Sequence, residues 1–455
     1  MKVGVIGFGV SGKALAEFLI ESAEAESVTV FELKTNVCPP PLKNTKFVLG
    51  YTEKDLLNSG VDYFVLSSSV KHDTFERLNL PYISEIDFVC ERLKPDAKFA
   101  FITGTKGKGT VSCFVNFILS NLGFSTFVGG NIGTPVVHAL RKNYDFYIFE
   151  TSSFQLRSTK KAKPDVSALI NIYPEHLDWH ESYQDYKYSK FNVFSNAYSC
   201  VLPNSIDVVY DFLKQNKRFA NTYYVCVNKI EESSFLLMFL EGAGGIANDG
   251  KNIFIKSGSF IDTATFDFET FGKLFLGKHN IVNLLFSVII SFLLLERSGR
   301  IFRISHILNF SPSDLPHLPF RLEYEGEIGG IKIYNDSKST TVASLEAALL
   351  SFQDNSILLI CGGRTKGYDF EGIKDIIKDK VKKSFIIGEA KHILAKSFHN
   401  YEFCEDIKDA LSKALKSSQK GDVILFSPGC ASFDMFNSAE HRGEVFRKEV
   451  EKLKF

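Results

Sequence analysis

Gly104-Thr105-Lys106-Gly107-Lys108-Gly109-Thr110 is the stretch of this chain best suited to hold a charged ligand. An apolar run, Phe99–Ile102, precedes it and reads as a buried strand. Val111, Val115 and Ile118 follow at helical spacing. Strand, glycine turn and helix make a phosphate cradle. The glycines let backbone N–H groups approach an anion, the helix N-terminus adds partial positive charge, and Lys108 adds a full one. The loop departs from the eight-residue phosphate-loop pattern, because Ile102 stands where that pattern has its first glycine. A second glycine turn, Gly7-Phe8-Gly9-Val10-Ser11-Gly12, lies between a strand over residues 2–7 and a helix over residues 13–20. A second strand over residues 28–32 ends on Glu32. That arrangement suits a dinucleotide or any other diphosphate, including that of a UDP-sugar.

A third group of residues sits where open parallel sheets put their chemistry, just past strand ends. Glu150 closes a strand over residues 144–149, and His176 follows one over residues 166–172. Asn131 lies in the glycine-rich turn of residues 129–133. A carboxylate beside a triphosphate can hold magnesium. Lys187 and Lys190 lie on a helix expected over residues 183–197, where composition alone makes them solvated lysines. Farther on, Asn280 and Asn283 open a long helix three residues apart, on one face. Arg321 follows a proline-marked stretch. Three more strand ends run into Asn335-Asp336-Ser337-Lys338-Ser339-Thr340, Gly362-Gly363-Arg364-Thr365-Lys366-Gly367 and Ser427–Asp434.

The elements that must position these groups alternate β and α, which predicts parallel sheets. Breaks near Pro95 and Arg300 divide the 455 residues into three domains, 1–94, 95–298 and 299–455, as the length also suggests. The first lacks a clear second mononucleotide half. Residues 199–270 read as strand-rich, with turns over residues 242–250. Lysine plus arginine equals aspartate plus glutamate, 53 each, so no global charge draws the chain to nucleic acid or to a membrane. Eight scattered cysteines fit a reducing cytoplasm better than a disulfide framework. Met1-Lys2 runs directly into a strand, leaving no room for a signal peptide. The longest apolar helix, over residues 281–295, carries Asn283 and two serines and is short for a membrane span. The 43 phenylalanines read as core filling.

Taken together, the blocks from Gly104 to Asp434 resemble the ATP-dependent Mur ligases of peptidoglycan precursor synthesis, over essentially the full length. Within that family, Ser152-Ser153-Phe154-Gln155-Leu156 is similar to the branch that adds D-glutamate to UDP-N-acetylmuramoyl-L-alanine. So is Ser427-Pro428 through Ala431-Ser432-Phe433-Asp434-Met435-Phe436, with Glu440 and Arg442-Gly443. The Asp-Asn-Pro-Arg motif of the diamino-acid-adding sibling is absent. The resemblance implies an α/β protein of three domains: a Rossmann-like UDP-sugar domain, a central phosphate-loop ATPase sheet, and a C-terminal Rossmann-like amino-acid domain.

By position, the resemblance assigns ATP to Gly104, Thr105, Lys106, Gly107, Lys108, Gly109 and Thr110. Asn280 and Asn283 would meet adenine, and Arg321 and Asp336 the phosphates and ribose. Two magnesium ions, with manganese as a substitute, fall to Thr110, Glu150, His176 and a carbamylated Lys190. Gly9, Val10, Ser11, Glu32, Lys34 and Asn131 would seat the UDP-sugar. Lys338, Thr340, Lys366, Ser432 and Phe433 would frame the glutamate. Lys108, His176 and Lys190 are the expected catalytic residues, and a cytoplasmic monomer is implied. Gly109 stands where the family usually has a metal-binding hydroxyl, and Lys106 where it has asparagine, so Thr110 or water must supply that oxygen. The expected reaction activates a carboxylate as an acyl phosphate before an amine attacks it. Another Mur-type or folylpolyglutamate-type ligase, a nicotinamide-dependent oxidoreductase using only the first glycine turn, and a binding protein with an inactive loop are the alternatives.

Overall fold

The computed structural model describes residues 1–453 except 39–41, 69, 132, 178, 217–220, 227–243, 366 and 368. The chain packs as two compact units, one of residues 1–268 and 282–314, the other of residues 269–281 and 315–455.

The first unit contains two sheets. One has the strands β1 (Lys2–Ile6), β2 (Ser27–Glu32), β3 (Thr45–Leu49), β4 (Tyr63–Leu66) and β5 (Tyr82–Ser84), all parallel, in the order β3-β2-β1-β4-β5. The pairs β2-β3 and β4-β5 flank β1 on opposite sides, so β4 and β5 supply two strands of a second half, one short of a full mononucleotide unit. Its strands are short, and their apolar runs carry no second glycine turn. The order reverses beside β1, and the glycine turn after β1 opens at that switch point. The helix Val10–Glu21 begins three residues earlier than expected and includes Ser11 and Gly12.

The second sheet has β6 (Lys98–Thr103), β7 (Thr126–Gly130), β8 (Phe146–Glu150), β9 (Val166–Leu169), β10 (Ser199–Pro203), β11 (Thr222–Val225), β12 (Gly244–Asn248), β13 (Asn252–Ser257) and β14 (Phe260–Thr265). Their order is β14-β13-β12-β11-β10-β9-β6-β8-β7, parallel from β7 to β12 and antiparallel beyond. β6, β8 and β9 are adjacent, and their apolar residues are buried on both faces. Part of the stretch expected as turns over 242–250 is therefore the buried strand β12. A Cβ at Gly244 would lie 2.4 Å from the Tyr223 ring, so this glycine serves close packing rather than a bend. The expected helix over residues 183–197 is shorter, Tyr183–Phe191, followed by a 3-10 turn.

The second unit contains a six-stranded sheet: β15 (Glu323–Ile328), β16 (Ile331–Asn335), β17 (Ile357–Gly362), β18 (Val381–Ile387), β19 (Tyr401–Phe403) and β20 (Val423–Phe426). The order is β15-β16-β20-β17-β18-β19, with only the β15–β16 hairpin antiparallel. The helix Lys278–Arg297 is long and apolar enough to cross a membrane by length and composition, yet residues 283–295 are all buried in the protein.

Candidate active site

The loop after β6 is held rigid by side chains the sequence did not single out. Asn171, beyond β9, accepts the Lys106 N–H at 2.9 Å and donates to the Lys106 carbonyl at 3.0 Å. Its own carbonyl accepts the Thr105 N–H at 3.1 Å. The Thr105 hydroxyl accepts the Tyr173 N–H at 2.9 Å and lies 2.9 Å from the Tyr186 hydroxyl. Gly107 caps the helix Lys108–Asn121 at a φ of 85°, in the left-handed region, and a Cβ there would lie 2.5 Å from Asn283 Oδ1. Conformation and space both require glycine. The helix has no acidic residue in its first turn and no side-chain cap, so its N-terminal field is left for an anion. Thr110 is buried in that first turn. Lys108 Nζ folds back to the carbonyls of Gly104 at 2.9 Å and Thr105 at 3.2 Å.

Lys190 is no solvated lysine. It is 2% exposed, and its Nζ donates to the same Gly104 carbonyl at 2.9 Å. Burial, and after it the charge of Lys108, holds its ammonium pKa well below the usual lysine range. Lys187, three residues earlier, instead pairs with Asp211 at 2.6 Å. Lys106 Nζ meets Glu175 at 2.8 Å. Burial pushes the Glu175 carboxyl up, but the charge and hydrogen bond of Lys106 outweigh it and keep it below its ordinary value. His176 lies on the loop past β9, which ends at Leu169, so the strand-tip placement expected for it is not found. Its backbone is left-handed, with a φ of 57°, and its ring packs edge-on to Phe154 at 4.9 Å.

Glu150 ends β8 and is buried. Its Oε1 accepts from Asn131 Nδ2 at 2.9 Å, while Oε2 is buried without a hydrogen-bond partner. The Asn131 N–H also donates to the Glu150 carbonyl at 2.9 Å. A buried carboxylate oxygen without a donor is costly unless a cation meets it, so this group fits a hard divalent ion. Among the described residues, no three His, Cys, Asp or Glu side chains gather as a metal site. A magnesium ion at Glu150 would therefore draw most of its oxygens from phosphate and water, its common habit.

A cavity of about 1020 Å³ runs from the first glycine turn to Asn131, and Gly9, Val10, Ser11, Glu32, Lys34 and Asn131 all line it. Glu32 accepts the N–H groups of Phe8 at 2.7 Å and Lys34 at 3.0 Å. The helix Val10–Glu21, like the one after β6, starts with neither acid nor side-chain cap. Ser67, Ser68, Lys71 and Trp179 line the same cavity, and Lys71 Nζ stands 4.9 Å above the Trp179 ring. No motif marks them: Ser67, Ser68 and Lys71 lie in the loop after β4, and Trp179 lies in the loop after β9.

In the second unit, Asp336 follows β16 and accepts from the Ser427 hydroxyl at 2.8 Å. Burial pushes its carboxyl up to about 7. Lys338 pairs with Glu440. Ser432 is buried, Thr340 half-buried, and Phe433 is exposed. Lys366 lies outside the described residues. Arg442, buried, donates to the carbonyls of Cys430 at 3.0 Å and Ser337 at 2.8 Å, tying together the loops that carry Ser432 and Lys338. Asn280 turns its amide to the Leu276 carbonyl at 2.8 Å. The exposed Arg321 and burial together act on His279, which is held down at about 4, burial being the larger cause. Asn283, in the first unit, is buried against Gly107.

Residues 102–291 match the Mur ligase middle domain, and residues 320–430 match the Mur ligase glutamate ligase domain. A UDP-N-acetylmuramoylalanine--D-glutamate ligase of Thermoanaerobacter sp. (strain X514) is 31% identical, with 100% of this chain and 98% of the relative covered. The enzyme of the same name from Thermotoga maritima is 32% identical, with 98% of each covered. The chain belongs to the Mur ligase family. Among solved structures, this Mur ligase shares its fold with MurF ligase from Thermotoga maritima in complex with ADP, at a TM-score of 0.59 and 16% identity over 99% of this chain and 95% of that one. A pseudomurein peptide ligase type C from Methanothermus fervidus superposes equally well, at 0.59 and 18% identity over 99% of both.

Proposed function

We propose that this Mur ligase forms the amide between UDP-N-acetylmuramoyl-L-alanine and D-glutamate, driven by ATP through an acyl phosphate. The observation that carries the reading is Asn131. It lines the cavity of the first glycine turn and also donates to Glu150, so a sugar-linked carboxylate held in that cavity would end beside the phosphate loop. Phosphate release from ATP in the presence of UDP-N-acetylmuramoyl-L-alanine, tested with D-glutamate and a panel of other amino acids, checks it. Release indifferent to the amino acid, or none with the nucleotide sugar, rejects it.

Two anions must meet, the alanyl carboxylate and the γ-phosphate. Lys108 at the helix N-terminus offsets their repulsion, with Lys106 released from Glu175 as a second cation. Magnesium, when bound, would add Lewis-acid charge on the phosphoryl oxygens, held by Glu150, His176 and Lys190 in the family's pattern, with Thr110 or water supplying the oxygen that Gly109 lacks. Asn131 orients the acyl end. Gly104 through Thr110 cradle the phosphates, with Asn280, Asn283, Arg321 and Asp336 on the rest of ATP. Lys338, Thr340, Lys366, Ser432 and Phe433 receive the glutamate, and His176 can take the proton from its amine.

The low pKa of Lys190 supports its carbamylation, since only a neutral amine adds to carbon dioxide. Lys190→Ala should lose activity and regain part of it with added short-chain carboxylate; full activity without additive would end that idea. The three sheets are read as three domains, 1–94, 95–298 and 299–455, in a cytoplasmic monomer with no membrane or nucleic-acid partner.

A further inference from the structure

A buried carboxyl lies under the first unit's cavity and takes no part in the chemistry described above. Glu85 opens the short helix Glu85–Cys90 and is 1% exposed. Its Oε2 accepts from the Ser68 hydroxyl at 3.0 Å, and Ser68 lines the cavity. The direction of this chain of hydrogen bonds is fixed from its far end. Gln155 Oε1 accepts the Ser152 backbone N–H at 2.9 Å, so the Gln155 amide nitrogen faces Ser68 and donates to it at 3.2 Å. Ser68 has one proton, and Glu85 receives it. The other carboxyl oxygen, Oε1, is buried without a hydrogen-bond partner. Ser11 is the second hydroxyl acting on this carboxyl, and it lies in the first turn of the helix Val10–Glu21, facing the cavity.

We propose that Glu85 is a positioning residue that takes up a proton when the nucleotide sugar binds, so that Ser11 presents a donor to the diphosphate. The proposal rests on the function read above. With a proton on Oε1, Glu85 donates toward Ser11, and the Ser11 hydrogen is free for a phosphate oxygen. Without it, the carboxylate draws that hydrogen inward and sets a negative charge beneath the anion. The two states therefore bind a diphosphate differently, which is what linkage requires.

Burial pushes the Glu85 carboxyl up to about 7, and the Ser68 and Ser11 hydroxyls pull it back only in part. The other ionisable groups on neighbouring elements are Asp87 and Cys90 on its own helix, Tyr63 and Tyr82 on β4 and β5, Lys13, Glu17 and Glu21 on the helix Val10–Glu21, His138 on the turn Val136–Leu140, and Arg157 on the helix Ser153–Ser158. Glu32, Lys34 and Lys71 face the cavity. Asp87 is occupied by the N–H groups of residues 160–162. The ligand itself does not titrate near neutrality, since its diphosphate is doubly esterified and its alanyl carboxyl is already ionised, with a pKa of about 3.5.

Calorimetric titration of the full chain with UDP-N-acetylmuramoyl-L-alanine, in buffers of different ionisation enthalpy, tests this. Proton uptake should rise from about half a proton at pH 7 towards one at pH 8, and affinity should fall nearly tenfold per pH unit above that. In Glu85→Gln, a mimic of the protonated form, uptake should vanish and affinity should stay flat. Ser11→Ala should weaken binding and flatten the slope. Wild-type binding without proton exchange overturns the proposal, whatever the fate of the variants. Retention of the full slope by a folded Glu85→Gln or by Ser11→Ala overturns it too. Absence of any binding by the wild type rejects the functional reading itself.

Discussion

Glu150 shows most directly what one residue does here. One carboxylate oxygen is tied to Asn131 and the other is buried with nothing to meet. Glu150→Gln keeps the shape and the Asn131 contact but replaces the open oxygen with an N–H donor. Ligase turnover should fall by about 10²–10³-fold, with far-UV circular dichroism unchanged; turnover within threefold of wild type would reject Glu150 as the proposed magnesium ligand. Asp336 gives a pH test. Its folded-state pKa, about 7, lies above that of an unfolded aspartate, so the folded chain binds this proton more tightly. The stability tied to it is complete below the unfolded value of about 4 and is lost as pH rises through about 7. Asp336→Asn should flatten the decline in thermal midpoint between pH 5 and pH 8. An unchanged decline would mean that Asp336 is ionised in the folded state.

At the scale of elements, the glycine loop after β6 depends on its neighbour. The segment after β9 carries Asn171, whose amide pairs with both polar groups of the Lys106 backbone, and the two loops are braced as one. Asn171→Ala strands those groups. It should cost about 1–3 kcal/mol in urea unfolding and raise KM for ATP more than it lowers kcat. A KM unchanged from wild type would show that the loop keeps its form without the brace. Glycine spacing made this loop and the one after β1 legible, because a backbone that must approach an anion excludes most side chains. Asn171 was not legible. An asparagine at the end of an apolar run looks like any turn residue until its partner is known to lie 65 residues away.

For the whole molecule, a nucleotide that binds the folded chain must stabilise it. ATP with magnesium at about a hundred times its dissociation constant should add about 2.7 kcal/mol, read as a rise in thermal midpoint, and Lys108→Ala should erase most of it. An equal rise in the variant would place the triphosphate elsewhere. The parallel-rich sheets were legible from the alternation of strands and helices. The second half of the sheet around β1 was not. β4 and β5 are short runs with no motif; β4 joins that sheet by parallel pairing with β1, and β5 by pairing with β4.

The order of types along the chain, read alone, determined the two glycine turns, the acidic strand end at Glu150 and the family. Each is a local matter of backbone freedom and charge, written within a few residues. Tertiary structure decided which groups meet and in what state. Lys190 reads as a surface lysine until the Tyr183–Phe191 helix packs it beneath Gly104, where burial and Lys108 strip its preference for charge. Glu85 carries no mark in the sequence until folding encloses it under Ser68 and Ser11. A pKa depends on the dielectric and the charges around a group, and those are set by segments far away in sequence.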